Sequence, residues 1–342
     1  MNSSDSIRTR VTVIGGGTGT TAVLSGLKKF SHLDIRVVVS MTDDGGSNQV
    51  VRDQFGLLPL SDLRKSIIAL AGTGNDLLRS MFTYRFDKGD GLVGHTLGNL
   101  MMMGLSEITG SEVAAVEAMS RLFQVEGMVI PVTLDKTNLV ATYSDGTSVC
   151  GEHVIDEPVV ESKRKITKLT LTPVARAYDK AVAAVQDADY IIAGPGDLYT
   201  TTLANIIVPG ISEAIQKNTG TFIFVCNLMT KKGQTHDMPA SELVREVERY
   251  AGRVPDVVIV HNQPFPPDII EKYREEGESV IVDDIGADVS YRVIRRDVVF
   301  DHEIVKDAGD TLKRSLVRHD ADKLANVLHD IFQHSVQSGY ST

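Results

Sequence analysis

Residues 11–20, VTVIGGGTGT, decide the fold. Residues 11–14 are apolar or β-branched and read as a short buried strand. Three glycines, a threonine and a fourth glycine follow as a tight turn. Ala22, Val23, Leu24, Leu27 and Phe30 then recur at near-helical spacing. A strand, a glycine turn and a helix in succession aim backbone N–H groups and the positive helix end at one point. That geometry suits an anion, usually a phosphate. Gly17-x-Gly19-x-x-Ala22 matches the dinucleotide-type spacing, and no Lys-Ser or Lys-Thr pair follows to make a P-loop. A structural turn without a ligand is the alternative reading.

The pattern repeats outward from this point. Residues 35–41 (IRVVVSM) form a second strand, and their unbroken β-branched run predicts burial on both faces. Residues 188–207 (ADYIIAGPGDLYTTTLANII) repeat strand, glycine loop and helix. Residues 220–230 (GTFIFVCNLMT), 255–267 (PDVVIVHNQPFPP) and 278–284 (ESVIVDD) add strands, with a helix over 241–250 between the first two. Leu324, Val327, Leu328, Ile331 and Phe332 mark a last amphipathic helix. The expected fold is α/β: a Rossmann-like, doubly wound, mostly parallel sheet with helices on both faces. Residues 128–174 break the rhythm, because alternating residues and the SDGT turn at 144–147 read as antiparallel hairpins. The chain therefore divides into residues 10–127, a β-hairpin insertion over 128–174, and residues 175–334 completing the same α/β domain. ESKRK at 161–165 reads as a solvated hairpin tip and QSGYST at 337–342 as a frayed tail.

Composition bounds the function. Hydrophobic residues make up 42% of 342 and charged residues 23%, so the chain can bury a large core. A net charge of −10 argues against a nucleic-acid or anionic-membrane binder, since phosphates are repelled on average. Cys150 and Cys226 are far apart and read as two reduced thiols. The first ten residues carry no apolar run, and no stretch approaches the ~20 apolar residues of a membrane span. A soluble cytoplasmic protein without membrane insertion is expected.

The second strand ends in MTDDGGS, residues 41–47. A ribose-binding NAD site wants one acidic residue there, but Asp43 and Asp44 stand side by side. Adjacent carboxylates repel unless a cation or hydrogen-bond donors lie between them. Mg²⁺ or a set of sugar hydroxyls fits better than NAD or flavin, with an unliganded Asp-rich turn as the alternative. Asp62 follows at a helix start, either as a cap or as a third carboxylate facing the crevice. Gly94, His95, Gly98 and Asn99 open an apolar helix. A histidine flanked by glycines reads as a ligand-contacting donor, and the run Met101, Met102 and Met103 as flexible core filler.

GGGTG, TDDGGS, GLLPLSDLRK, LLRSMFTYRF, GHTLGNL, AGPGDLYTTTLANIIVPGI and VCNLMTKKGQT occur in this order. Together they resemble the CofD-like superfamily, within it the gluconeogenesis factors, over roughly residues 10 to 332. The resemblance implies a Rossmann-like fold, cytoplasmic location and frequent homodimers. It also implies UDP-sugar binding linked to cell shape and envelope-precursor balance during gluconeogenic growth. The related branch, 2-phospho-L-lactate transferase, uses Mg²⁺ to transfer a phospholactyl group from a guanosine dinucleotide to a deazaflavin alcohol. Two departures stand out: DDGGSNQ in place of the usual DDGGSSG, and PLSDLRK in place of PPGDIRN.

Carried onto this chain, the resemblance implies that Gly15, Gly16, Gly17 and Gly19 hold diphosphate oxygens, together with Gly194 and Gly196. Thr18 and Thr200 would add hydroxyl donors, and Gly45, Gly46, Ser47, His95 and Asn99 would line the same nucleotide site. Asn227 and Asn262 end strands at the carboxyl edge, where open α/β sheets bind ligands. Tyr273 would flank the uracil and Arg318 reach ribose or phosphate. Asp43, Asp44 and Asp62 would hold Mg²⁺ and act catalytically if the chain is a transferase. The favoured reading is a regulatory protein that binds a UDP-GlcNAc-like sugar and signals to an unidentified protein partner, with the Mg²⁺-dependent transferase as the alternative. Turnover is not decided by the residues.

Overall fold

The structure, a computed structural model, describes residues 8–72, 74, 76–158, 164–300 and 316–338. The hairpin-tip residues 161–163 and tail residues 339–342 lie outside that set. The described strands are β1 (Thr9–Gly15), β2 (Leu33–Val39), β3 (Met128–Pro131), β4 (Asn138–Tyr143), β5 (Ser148–Cys150), β6 (Ile166–Thr172), β7 (Tyr190–Ala193), β8 (Thr221–Val225), β9 (Val257–His261) and β10 (Arg292–Arg296). Seven form one parallel sheet in the order β10-β9-β8-β7-β1-β2-β3.

β1 lies centrally, with Val13 opposite Val37 of β2 on one side and Ile192 of β7 on the other. Val11, Val13, Ile14, Val37, Ile191 and Ile192 are fully buried, as a sheet covered on both faces requires. The chain winds outward from β1 through β2 to β3, then returns to β7 and winds the other way to β10. The winding therefore reverses between β1 and β7, and the glycine turns following these strands meet there. Crevices open at such a reversal, beyond the carboxyl ends of the strands.

Three departures from the sequence-based expectation concern strands. Met128–Pro131 belongs to the main sheet, parallel to β2, so the insertion begins after it. The insertion itself is a three-stranded antiparallel sheet, β5-β4-β6, with the expected turn at residues 144–147. In that turn Asp145 accepts from Thr147 N at 2.9 Å, and Gly146 takes a positive φ of 83°. Second, residues 278–284 form no strand. Val280 makes an isolated bridge with Met229, and the sheet is completed instead by Arg292–Arg296. Half-exposed edge strands carry charged residues, so this arginine-rich segment lacked the apolar signature of a buried strand. Third, β1 extends beyond residues 11–14 at both ends, and β2 starts and ends two residues before the run 35–41 read as a strand.

The helix Gly17–Leu27 packs across the helix Ala321–Ser338 at Gly26, where an added Cβ would lie 2.1 Å from the Ala321 carbonyl oxygen. Glycine is held there by backbone contact. Gly26→Ala should therefore destabilise the protein by about 1–3 kcal/mol, against the ~1 kcal/mol that alanine gains over glycine within a helix. Urea denaturation measures the sign, and a stabilised variant would refute the packing argument.

Candidate functional site

A cleft of about 530 Å³ opens at the winding reversal. Its floor is the first glycine turn. β1 ends at Gly15, whose carbonyl accepts from Ser40 N at 3.4 Å and Asn205 Nδ2 at 3.1 Å. Gly16 is extended, and Gly17 takes a positive φ of 64° to start the helix. The group that comes close enough to exclude side chains here is protein. Asp62 Oδ2 accepts from Gly17 N at 2.8 Å, and a Cβ on Gly16 would lie 2.5 Å from that oxygen. A Cβ on Gly19 would lie 2.3 Å from the Pro195 carbonyl. The two glycine turns thus pack on each other. After the second, the chain forms a π-helical turn, Leu198–Leu203, a distortion frequent at functional sites.

Asp43 and Asp62 face one another across the floor. Asp43 accepts from Gly45 N at 2.9 Å and from Asn48 Nδ2 at 2.6 Å. Burial and the neighbouring Asp62 push its carboxyl up to about 6. For Asp62, burial alone would act in the same direction, but the Lys65 ammonium, the Gly17 N–H and Arg64 outweigh it and hold the carboxyl below its usual value. Lys65 Nζ donates to Asp62 Oδ1 at 2.7 Å. Asp44 turns away, its Oδ1 accepting from His153 N at 2.8 Å.

Asn48 and Ser61 are joined by hydrogen bonds. Asn48 Oδ1 accepts from Leu60 N, Ser61 N and Ser61 Oγ at 3.1, 3.2 and 2.9 Å. The Ser61 hydroxyl in turn accepts from Asn99 Nδ2 at 3.1 Å, and Asn99 Oδ1 accepts from Arg64 Nε at 2.9 Å. Asn48 and Ser61 therefore tie the aspartate turn to the helix Ser61–Leu70, which presents Asp62 and Lys65.

Further carboxyl groups of the lining come partly from the insertion. Its short helix Glu152–Asp156 brings Glu152 and Asp156 into the cleft. Burial, with Asp43 and Asp156 next in weight, pushes the Glu152 carboxyl well above its usual range. Asp156 accepts from Gln234 Nε2 at 3.0 Å and from Lys231 Nζ at 3.4 Å, and Lys231 lies 3.9 Å from Asp197. The burial of Asp197 among protein groups, together with neighbouring Asp156, raises its carboxyl to about 7, although 40% of the side chain meets solvent in the cleft. Burial lowers the Lys231 ammonium, but Asp197 and Asp156 outweigh this and raise it.

Of the residues singled out from sequence, Gly16, Gly17, Thr18, Gly19, Asp43, Gly45, Gly46 and Asp62 line this cleft. So do His95, Asn99, Gly196, Asn227, Tyr273 and Arg318. Asn227 Nδ2 donates to the Gly196 carbonyl at 2.7 Å, holding the second turn in place. Gly15, Gly194 and Thr200 sit behind the cleft surface: Gly194 N donates to Ile14 O, and Thr200 Oγ1 reaches Asp156 at 3.5 Å. Asn262 instead braces β9 to β10 through the Arg295 and Arg296 carbonyls. The Ser47 side chain lies outside the described residues. Arg64, Lys65, Arg85, Glu152, Asp156 and Lys231 also line the cleft and were not selected from sequence. Basic residues in the LRK and TKK runs read locally as solvated charges, and an insertion helix gives no local sign of where it docks.

Asp43, Asp44 and Asp62 each have protein partners in this arrangement. Asp44 points elsewhere, both oxygens of Asp43 and of Asp62 already accept protein donors, and one of these donors is an ammonium. Among the described residues no group of three or more His, Cys, Asp or Glu side chains has an arrangement that could hold a metal ion.

At the far end, Tyr273 is 4% exposed and its hydroxyl accepts from Val317 N at 3.2 Å. His319 is 9% exposed, and burial lowers its imidazole to about 4. Because the folded value lies below the unfolded one of 6.5, the stabilisation is complete above that pH and is lost as pH falls towards 4. Between pH 7.5 and 4.5 the wild type should lose about 2–3 kcal/mol of stability relative to His319→Gln. Denaturant titrations at both pH values measure this, and parallel losses would contradict it.

The model of the family 2-phospho-L-lactate transferase CofD matches residues 11–299. The chain is 36% identical over 306 residues to the gluconeogenesis factor of Halalkalibacterium halodurans, covering 86% of this chain and 93% of that one. It is 33% identical over 326 residues to the gluconeogenesis factor of Bacillus subtilis, covering 95% and 98%. A crystal structure of a protein from Bacillus halodurans superposes with a TM-score of 0.85 at 32% identity, covering 94% of this chain and 99% of that one. With the parallel sheet, the paired glycine turns and these matches in agreement, the chain belongs to the CofD family and is similar over nearly its whole length to bacterial gluconeogenesis factors.

Proposed function

We propose that this chain binds a nucleotide sugar of the UDP-GlcNAc kind and acts as a regulatory protein of the gluconeogenesis-factor type, in the cytoplasm and as a homodimer. One observation carries the reading: at the winding reversal, a cleft of ligand size is lined by basic side chains and carboxyl groups together. Lys65, Arg64 and Arg85 supply positive charge for phosphates. Glu152 and Asp156 supply acceptors for sugar hydroxyls, and burial with acidic neighbours raises the affinity of Glu152 for a proton. Tyr273 and Arg318 lie at the far end, where the nucleoside would rest. Occupancy would press on the insertion through its helix Glu152–Asp156 and alter the surface that an unidentified protein partner reads. In cells this would couple envelope-precursor balance and cell shape to growth on non-sugar carbon. No described helix is long and apolar enough to cross a membrane.

Group transfer is the second reading, and one observation favours it. A carboxyl held at about 6, as that of Asp43 is, is suited to take a proton from an attacking hydroxyl near neutral pH. A thermal-shift panel separates the readings. UDP-GlcNAc at 100 Kd should stabilise the protein by about 2.7 kcal/mol, and NADH should do nothing. Stabilisation by GDP with Mg²⁺ alone would favour transfer, and stabilisation by NADH alone would defeat both readings. Arg318→Ala should weaken UDP-GlcNAc about tenfold in calorimetry, the loss of roughly one charged hydrogen bond. Unchanged affinity would remove Arg318 from the site.

A further inference from the structure

We propose that the ammonium of Lys65 stands where a divalent cation would sit beside Asp43 and Asp62, so that an anionic ligand is received here by a covalently held cation, without metal. The geometry is local and rigid. Asp62 and Lys65 are three residues apart on the helix Ser61–Leu70, which places both on one face. Lys65 Nζ lies 2.7 Å from Asp62 Oδ1, while Asp62 Oδ2 is taken by Gly17 N at 2.8 Å. The charge of Lys65 also reaches Asp43 and favours its ionised form. Asp43 is held on its other side by Gly45 N and by Asn48, whose own carbonyl oxygen is fixed by the start of the same helix.

A dication approaching Asp62 would have to share a carboxylate oxygen with an ammonium already in contact with it. Hard cations such as Mg²⁺ need a near-complete oxygen shell, and a neighbouring cation opposes it both electrostatically and sterically. Lys65 lines the cleft beside Gly16, Gly17 and Gly19, and 27% of its side chain remains exposed. The ammonium has three donors, so it can keep Asp62 and still meet a phosphate oxygen. The class of ligand follows: a nucleoside diphosphate or its sugar ester, bound as the free anion and not as its metal chelate. That last step rests on the nucleotide reading given above; the exclusion of metal by Lys65 does not.

Two measurements on the full chain test this. In the first, Mn²⁺ alone is titrated and followed by electron paramagnetic resonance of the free ion. The wild type should show no saturable uptake up to on the order of 1 mM, the weak end for carboxylate sites. Lys65→Asn, and separately Lys65→Gln should the first not fold, should take up Mn²⁺ at least about tenfold more tightly, the scale set by removing a group that controls a ligand. Saturable uptake by the wild type, or no gain in the folded variant, overturns the proposal. In the second, UDP is titrated calorimetrically in EDTA and in Mg²⁺. The wild type should bind equally in both, whereas the Lys65 variant should lose about tenfold in EDTA, the cost of one charged contact, and recover part of it with Mg²⁺. A wild type that requires Mg²⁺ overturns the proposal. Absence of UDP binding under either condition refutes the nucleotide reading, while the Mn²⁺ result still decides the role of Lys65.

Discussion

A backbone N–H at the start of the helix after β1 donates to a partly buried carboxylate, and the architecture of the site depends on that contact. Gly17 N and Asp62 Oδ2, 2.8 Å apart, join the central strand turn to the helix Ser61–Leu70. The bond is charge-assisted and lies at a helix N-terminus, where negative charge is favoured. Gly16 has no side chain because Asp62 occupies the space, and Gly19 has none because the Gly194–Pro195–Gly196 turn does. The glycines that resemble a dinucleotide fingerprint are thus required first for contact between protein segments. A ligand in this cleft meets a floor whose charge the protein has already arranged.

That arrangement mixes charges of both signs. The Ser61–Leu70 helix supplies Arg64 and Lys65 beside Asp62, while the insertion helix Glu152–Asp156 and the turn after β7, which carries Asp197, supply further carboxyl groups. Neighbouring carboxyl groups are tolerated by different means. Lys231 lies between Asp156 and Asp197, and Glu152 and Asp197 have raised affinities for a proton. The insertion is fastened to the core by the Lys165–Glu242 ion pair and by Tyr250, whose hydroxyl accepts from Leu169 N at 2.9 Å. A movement of the insertion would therefore carry Glu152 and Asp156 with it.

Asn48, Ser61 and Lys65, three of the positions at which the sequence departs from the motifs it resembles, act together. Asn48 and Ser61 bond one another and hold the aspartate turn against the helix, and Lys65 neutralises the carboxylate that this helix presents. Read singly along the chain, each looks like drift in a loop. Their hydrogen bonds show one altered cluster in which polar donors and an ammonium surround the aspartates.

The parallel sheet was legible in the sequence because burial on both faces leaves a nearly continuous apolar or β-branched run, as in residues 11–14, 37–39 and 190–193. The amphipathic last helix and the turn at 144–147 were legible for equally local reasons. The placement of Arg292–Arg296 was not, since an edge strand needs no apolar signature. Asp43 and Asp44 are indistinguishable as letters, yet the turn sends one to Asn48 and the other to His153. Glu152, Asp156 and Lys231 belong to the cleft only because an inserted sheet folds back over the winding reversal. By itself, then, the sequence determined the order of strands and turns, and with it where a crevice would open, because backbone geometry and burial are written locally. Which charges face one another across that crevice was decided by tertiary structure, because it depends on contacts between segments about a hundred residues apart, as between Asp44 and His153.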